Sequence, residues 1–231
     1  MSSLAQQRRV AIAVARKDLT IEWNSRILVN QVAPFAAIVM VLFAFALDNE
    51  GILQRVAPGL VWLATLFSML VVIQRSFAVE SADGALDALR VAGVNSSAIF
   101  AGKSIALMVQ LFALELLLLG TAVVLYGVSM SLAGFAVAIL TLLASTVGLA
   151  CVGTLYGGLA AGARGRETLL PLLLLPVVAP VLIGATRATE AAFGSGGTKV
   201  SEGWPWIVLL VVFAVIFSAV GSVAFGPLVD E

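Results

Sequence analysis

Apolar residues run along this chain in stretches of roughly 20 without a charge, separated by short charged breaks. Residues 27–47 lie between Arg26 and Asp48, residues 56–74 between Arg55 and Arg75, and residues 168–186 between Glu167 and Arg187. As helix, about 20 residues cover roughly 30 Å, the hydrocarbon thickness of a bilayer. Between Lys103 and Arg164 the only charge is Glu115, and that length holds two helices, 104–126 and 132–160, joined by a tight turn at Tyr126-Gly127-Val128-Ser129. A last apolar run covers 204–229. The pattern predicts an all-α polytopic membrane protein: one domain, 1–231, with six transmembrane helices, no internal repeat and no separate soluble domain.

The polar segments predict how these spans are arranged. Residues 4–26 mix short apolar and charged groups, with Val10, Val14 and Ile21 on one helical face and Lys17 placed to snorkel beside them. This predicts a helix lying in the interface and ending near Trp23. The break after the second span is longer than two adjacent helices need. In it Leu86 and Leu89 share one helical face, while Glu80, Asp83, Asp87 and Arg90 supply a charged one, so a short amphipathic helix is expected. With the N-terminus inside, Arg8, Arg9, Arg16, Lys17, Arg26, Arg75, Arg90, Lys103, Arg164 and Arg166 are inside and only Arg55, Arg187 and Lys199 outside. Both termini are therefore expected in the cytoplasm. The charged, interrupted segment before the first span does not read as a cleavable signal.

Within the spans, Pro58-Gly59 is expected to open the second one, in the first turn, where the missing N–H costs nothing. Pro171, Pro176 and Pro180 each delete a backbone hydrogen bond, so the fifth span is expected to be bent or broken, as a packing feature or a hinge. Small residues recur at four-residue spacing: Gly153 and Gly157, Gly158 and Gly162, then Ala214, Ser218, Ser222 and Gly226. They predict close helix approach. Trp204 and Trp206 fit an outer aromatic belt and Trp23 an inner one. The loop from Arg187 to Gly203, with Gly194-Ser195-Gly196-Gly197, is expected to be mobile.

Composition removes several function classes. Hydrophobic residues make up 61% and charged residues 11%, which excludes an ordinary soluble domain. The formal net charge is zero, so the electrostatic footprint of a nucleic-acid binder is missing. The single cysteine, Cys151, permits no intrachain disulfide, and there is no histidine, which leaves methionine and tyrosine as the usual protein ligands for haem iron. Ala101-Gly102-Lys103-Ser104 imitates the end of a phosphate loop. The glycine needed five positions earlier is Ser97, and a membrane span follows, so Lys103 is taken to mark the inner end of the third span. No nucleophile–base pair or metal cluster is apparent, and the chain is expected to do no chemistry itself.

Glu115 is the candidate intramembrane functional residue. An ionised group at that depth costs roughly 3 kcal/mol on an insertion scale, which about a dozen apolar residues of the same span outweigh. Such carboxylates usually face a bundle interior or a water-filled path. Two readings stay open: a mechanistic acid, or a protonated one hydrogen-bonded to a Ser or Thr of another helix.

The order of an interfacial helix, two spans, an amphipathic cytoplasmic helix and four more spans is similar to the permeases of type 2 ABC exporters. Four stretches carry a closer match. They are Arg16-Lys17-Asp18-Leu19 with Glu22; Pro58-Gly59-Leu60-Val61-Trp62-Leu63-Ala64; Glu80 to Leu89 with Gly102-Lys103; and Leu169-Leu170-Pro171-Leu172-Leu173-Leu174-Leu175-Pro176 continuing to Pro180-Val181-Leu182-Ile183-Gly184. On these residues the chain resembles the CcmB family of cytochrome c maturation. The resemblance implies a permease subunit in the bacterial inner membrane, with ATP hydrolysed by a separate, CcmA-like ATPase subunit. That subunit would dock on Glu80, Asp83, Gly84, Leu86, Asp87, Leu89 and Arg90. It further implies a second permease copy, a CcmC-like haem-handling subunit and a CcmE-like haem chaperone, with haem as the exported species or as cargo of a chaperone released by ATP-driven remodelling. Competing readings are a type 2 permease for a lipid, drug or glycan, a proton-coupled carrier using Glu115, and a scaffold without a transport cycle.

Overall fold

The structure is a computed structural model and describes residues 3–47, 49–83, 94–161 and 166–229. Among the described residues, seven α-helices follow one another: α1 (Ser3–Ser25), α2 (Ala33–Ala46), α3 (Glu50–Asp83), α4 (Ser96–Leu125), α5 (Leu132–Ala161), α6 (Arg166–Phe193) and α7 (Trp204–Val229). Six helical segments among the described residues, 28–46, 50–78, 96–125, 132–160, 169–193 and 200–227, are long and apolar enough to cross a membrane. The all-α polytopic architecture is therefore the observed one.

The ends differ from expectation where polar residues continue a helix instead of stopping it. Helix α3 starts at Glu50, so Pro58 lies inside it and not in its first turn. A proline there cannot donate to the carbonyl four residues back, which is that of Gln54, and the Ser195 hydroxyl donates to this oxygen instead, at 3.1 Å. Helix α6 continues through Arg187, paired with Glu190 at 2.8 Å, and ends at Phe193. The loop expected from Arg187 is thus helical for its first half. Its glycines then form a turn with positive φ at Gly194, Gly196 and Gly197, tied down by Ser195 and by Thr198, whose hydroxyl donates to the Glu190 carbonyl at 3.0 Å.

Helix α6 is also unbroken by its three prolines. Leu170, Leu174, Val178, Val181, Ala185 and Ala188 form its buried stripe, whereas Pro176 and Pro180 sit on the exposed face. The deleted hydrogen bonds therefore fall away from the core, and packing on the other face holds the helix together.

The centre of the bundle is α5, which touches α3, α4, α6 and α7. A helix apolar all round suits that place. Its glycines admit neighbours: a methyl group on Gly153 would lie 2.5 Å from the Ile73 side chain, and one on Gly157 would lie 2.5 Å from the Phe77 ring. The stripe predicted on α7 is only partly the packed one. Ala214 is buried and Ser218 meets Cys151, but Ser222 is exposed and Gly221 takes its place, where a methyl would collide with Phe100. A strict four-residue repeat drifts around a helix of 3.6 residues per turn, so the contact face must step back by one residue. Gly162 lies outside the described residues.

Candidate functional site

The chain turns from α1 into the first span at Arg26, whose φ of 52° is left-handed. A non-glycine residue there is held by its surroundings. Glu22 supplies the hold: its carboxylate accepts from the Leu28 N–H at 2.5 Å, which caps a π-helical turn, Leu28–Val32, ahead of Pro34. One oxygen of the acidic side chain is thus committed to one of the free amides that open the span.

Helix α1 packs on α4. Its buried residues are Ala11, Val14, Ala15 and Asp18, while Val10 is half-buried and Ile21 exposed. The buried stripe is therefore rotated from the expected Val10, Val14 and Ile21 face. Small side chains choose it: a methyl on Gly102 would sit 2.6 Å from the Ala11 carbonyl oxygen, so the helices meet backbone against backbone. The exposed apolar residues of α1, including Ile12 and Trp23, face away from the rest of the described protein.

This close approach carries Asp18 over the start of α4. Its Oδ2 receives the Lys103 Nζ at 3.2 Å and its Oδ1 the Lys17 Nζ, also at 3.2 Å. Lys103 is only 3% exposed, and its ammonium lies 4.5 Å from the centre of the Phe77 ring. A cation over an aromatic face gains roughly 2 kcal/mol when desolvated. Phe77 belongs to α3, so three elements, α1, α3 and α4, converge on one buried charge. The Gly102-Lys103 pair has no phosphate-loop geometry, for it sits within the regular α4 helix. Lys103 is a buried joint, where the sequence placed a simple boundary charge. A glycine that accepts another helix, next to a lysine, with an acid on the small-residue face of α1, is the signal that could have found it.

Beyond Phe77 in the direction of chain travel, α3 passes Glu80, within one turn, and ends at Asp83, less than two turns on. Gly84, Leu86, Asp87, Leu89 and Arg90 lie outside the described residues. The expected ATPase-docking segment is therefore continuous with α3 as far as Asp83, without a loop between the span and its first residues.

Deeper in the bundle, Glu115 on α4 is fully buried. Thr146 of α5 donates its hydroxyl to Oε2 at 2.5 Å, while also reaching the Leu142 carbonyl. Oε1 has no hydrogen-bond partner among the described residues. Among the described residues, the predicted site residues are not brought together: Glu115 is near the middle of its helix, the prolines are on α6, and Glu80 and Asp83 are at the end of α3.

The family model described as "CcmB protein" matches residues 9–230. The chain belongs to the CcmB family. Among its relatives, Heme exporter protein B of Haemophilus influenzae is 30% identical over 219 residues, covering 94% of each chain. The protein of that name from Rhodobacter capsulatus is 35% identical over 69% of this chain and 73% of its own. That from Escherichia coli K12 is 35% identical over 68% and 71%. The CcmB match takes in Asp18, Lys103, Glu115 and the three prolines of α6, so it covers the whole bundle.

Proposed function

We propose that this chain is the permease subunit of an ABC-type complex that supports haem export for cytochrome c biogenesis. The CcmB match over residues 9–230 carries the reading, and the relatives named as haem exporters support it. The protein sits in the bacterial inner membrane with both termini in the cytoplasm. It works as two copies with a CcmA-like ATPase, beside a CcmC-like haem-handling subunit and a CcmE-like chaperone. ATP is hydrolysed by the ATPase subunit. Haem is the handled species, and the lack of any histidine in the chain favours release of the loaded chaperone over haem ligation by this subunit.

The residues from Glu80 to Arg90 receive the ATPase. Because α3 runs unbroken to Asp83, a displacement there is passed along the helix to Phe77, and through its contact with Lys103 to α4 and α1. The prolines on the exposed face of α6 serve as its hinge. Cells lacking the protein are expected to lose haem-stained c-type cytochromes. Wild type restores them, and a variant with the Asp83, Asp87 and Arg90 charges exchanged does not. Normal cytochromes in the deletion strain would overturn the assignment, whereas full rescue by the exchanged variant would remove only the coupling role.

A further inference from the structure

The corner between α1 and the first span encloses a recess whose chemistry neither the CcmB match nor the coupling role uses. Asp18 and Glu22 of α1, Leu28 of the first span, Arg75 and Ser76 of α3, and Gln110 of α4 are among the residues that line it. It holds about 70 Å³, several times the roughly 10–15 Å³ that admits one water.

Several of its polar groups are uncommitted. Gln110 is 8% exposed, and its amide makes no hydrogen bond among the described residues. Ser76 and Arg75 likewise have none. Arg75 and Glu22 line the same recess with opposite charge yet lie too far apart to form an ion pair, and Glu22 commits one oxygen to the Leu28 N–H. Asp18 is already neutralised on both oxygens by Lys17 and Lys103. The walls are apolar, and Val71 and Val29 beside them are exposed at the depth where the interfacial helix lies. Two separated opposite charges, an unpartnered amide and a hydroxyl, open toward lipid, are complementary to a group that carries its own plus and minus a few ångströms apart.

We infer that this recess binds the headgroup of a zwitterionic aminophospholipid from the leaflet on the α1 side. Arg75, Ser76 and Gln110 receive the phosphate, and the free oxygen of Glu22 receives the ammonium. An ammonium that keeps its N–H groups satisfies Glu22, whereas a trimethylated one cannot donate to it, and a glycerol headgroup leaves it unmatched.

The test is native mass spectrometry of the full-length protein, released from nanodiscs of equimolar phosphatidylethanolamine, phosphatidylglycerol and phosphatidylcholine. Charge-assisted hydrogen bonds make the expected preference for phosphatidylethanolamine roughly tenfold. Arg75→Gln and Glu22→Gln each reduce it to near parity, and Gln110→Leu weakens it. Circular dichroism and gel-filtration profiles establish that each variant is folded. Arg75 is exposed, so its variant decides the matter if the Glu22 variant misfolds. Equal retention of the three lipids overturns the inference, as does a preference that survives Arg75→Gln. Displacement of the lipid by millimolar inorganic phosphate would also overturn it, by identifying a free-anion site.

Discussion

Lys103 and Glu115 stand on the same helix, about 18 Å apart along its axis, and the protein treats them differently. Near the end of the bundle Lys103 meets an oppositely charged residue and an aromatic face drawn from two other helices. In mid-bundle Glu115 receives one hydroxyl and keeps one oxygen uncommitted. The difference follows from what each depth permits. At the interface a helix such as α1 can lie across the spans and bring a carboxylate with it. In the middle of the membrane a counter-charge would have to be carried by another span at a cost of several kcal/mol, so small polar side chains and close packing are what remain. Among the described residues the ionic tie between helices therefore lies at the α1 end, and the interior is held by glycine contacts and hydroxyls.

The largest expected effect comes from separating the buried charges. Asp18→Ala removes the buried carboxylate that Lys103 and Lys17 share, and losing one member of a buried pair costs roughly 3–5 kcal/mol. The purified protein should melt well below wild type in detergent. Replacing both as Asp18→Leu with Lys103→Met removes the desolvation cost along with the attraction, so much of that loss should return. Additive losses in this double-mutant cycle would mean that the two residues do not act as a pair.

A smaller effect is expected where packing alone holds the bundle. Gly157→Leu drives side-chain atoms into the Phe77 ring, and overpacking of this kind costs roughly 1–3 kcal/mol. The additional change Phe77→Ala should relieve part of it, although it also uncovers Lys103. An unchanged melting temperature in the single variant would place α3 and α5 farther apart than they stand here.

The smallest belongs to the mid-membrane acid. Thr146→Val removes the hydroxyl from Glu115, and interhelical hydrogen bonds in membrane proteins average about 0.6 kcal/mol, with a maximum near 1.7. A loss comparable to that of Asp18→Ala would erase the contrast between the two depths and give Glu115 the weight of a principal structural tie.

How far the sequence anticipates this picture depends on the same physics. The six spans were readable because a bilayer demands about 20 apolar residues at a time, and few charges interrupt them. Helix ends were less so: Glu50 to Arg55 and Arg187 to Phe193 are polar enough to look like loops, but they continue helices whose backbone is already nucleated. The coupling of Asp18 to Lys103 spans 85 residues, and each alone resembles an ordinary boundary charge. The buried face of α1 is not the one read from sequence because hydrophobicity selects Val10 and Ile21, whereas the steric allowance at Gly102 admits the backbone of Ala11. Glu115 stood out at once, being the single charge in its long apolar tract, yet its partner Thr146 had no such mark among many threonines.

The Ser195 hydroxyl that stands in for the missing amide of Pro58 is 141 residues distant from the oxygen it serves. A ribosome adding about 5–20 residues per second needs on the order of ten seconds to go from one to the other. By then five of the six spans have been synthesised. Until that point the Gln54 carbonyl must be satisfied by water or headgroups at the membrane surface, so the far end of α3 is the last part of its helix to be sealed during biogenesis.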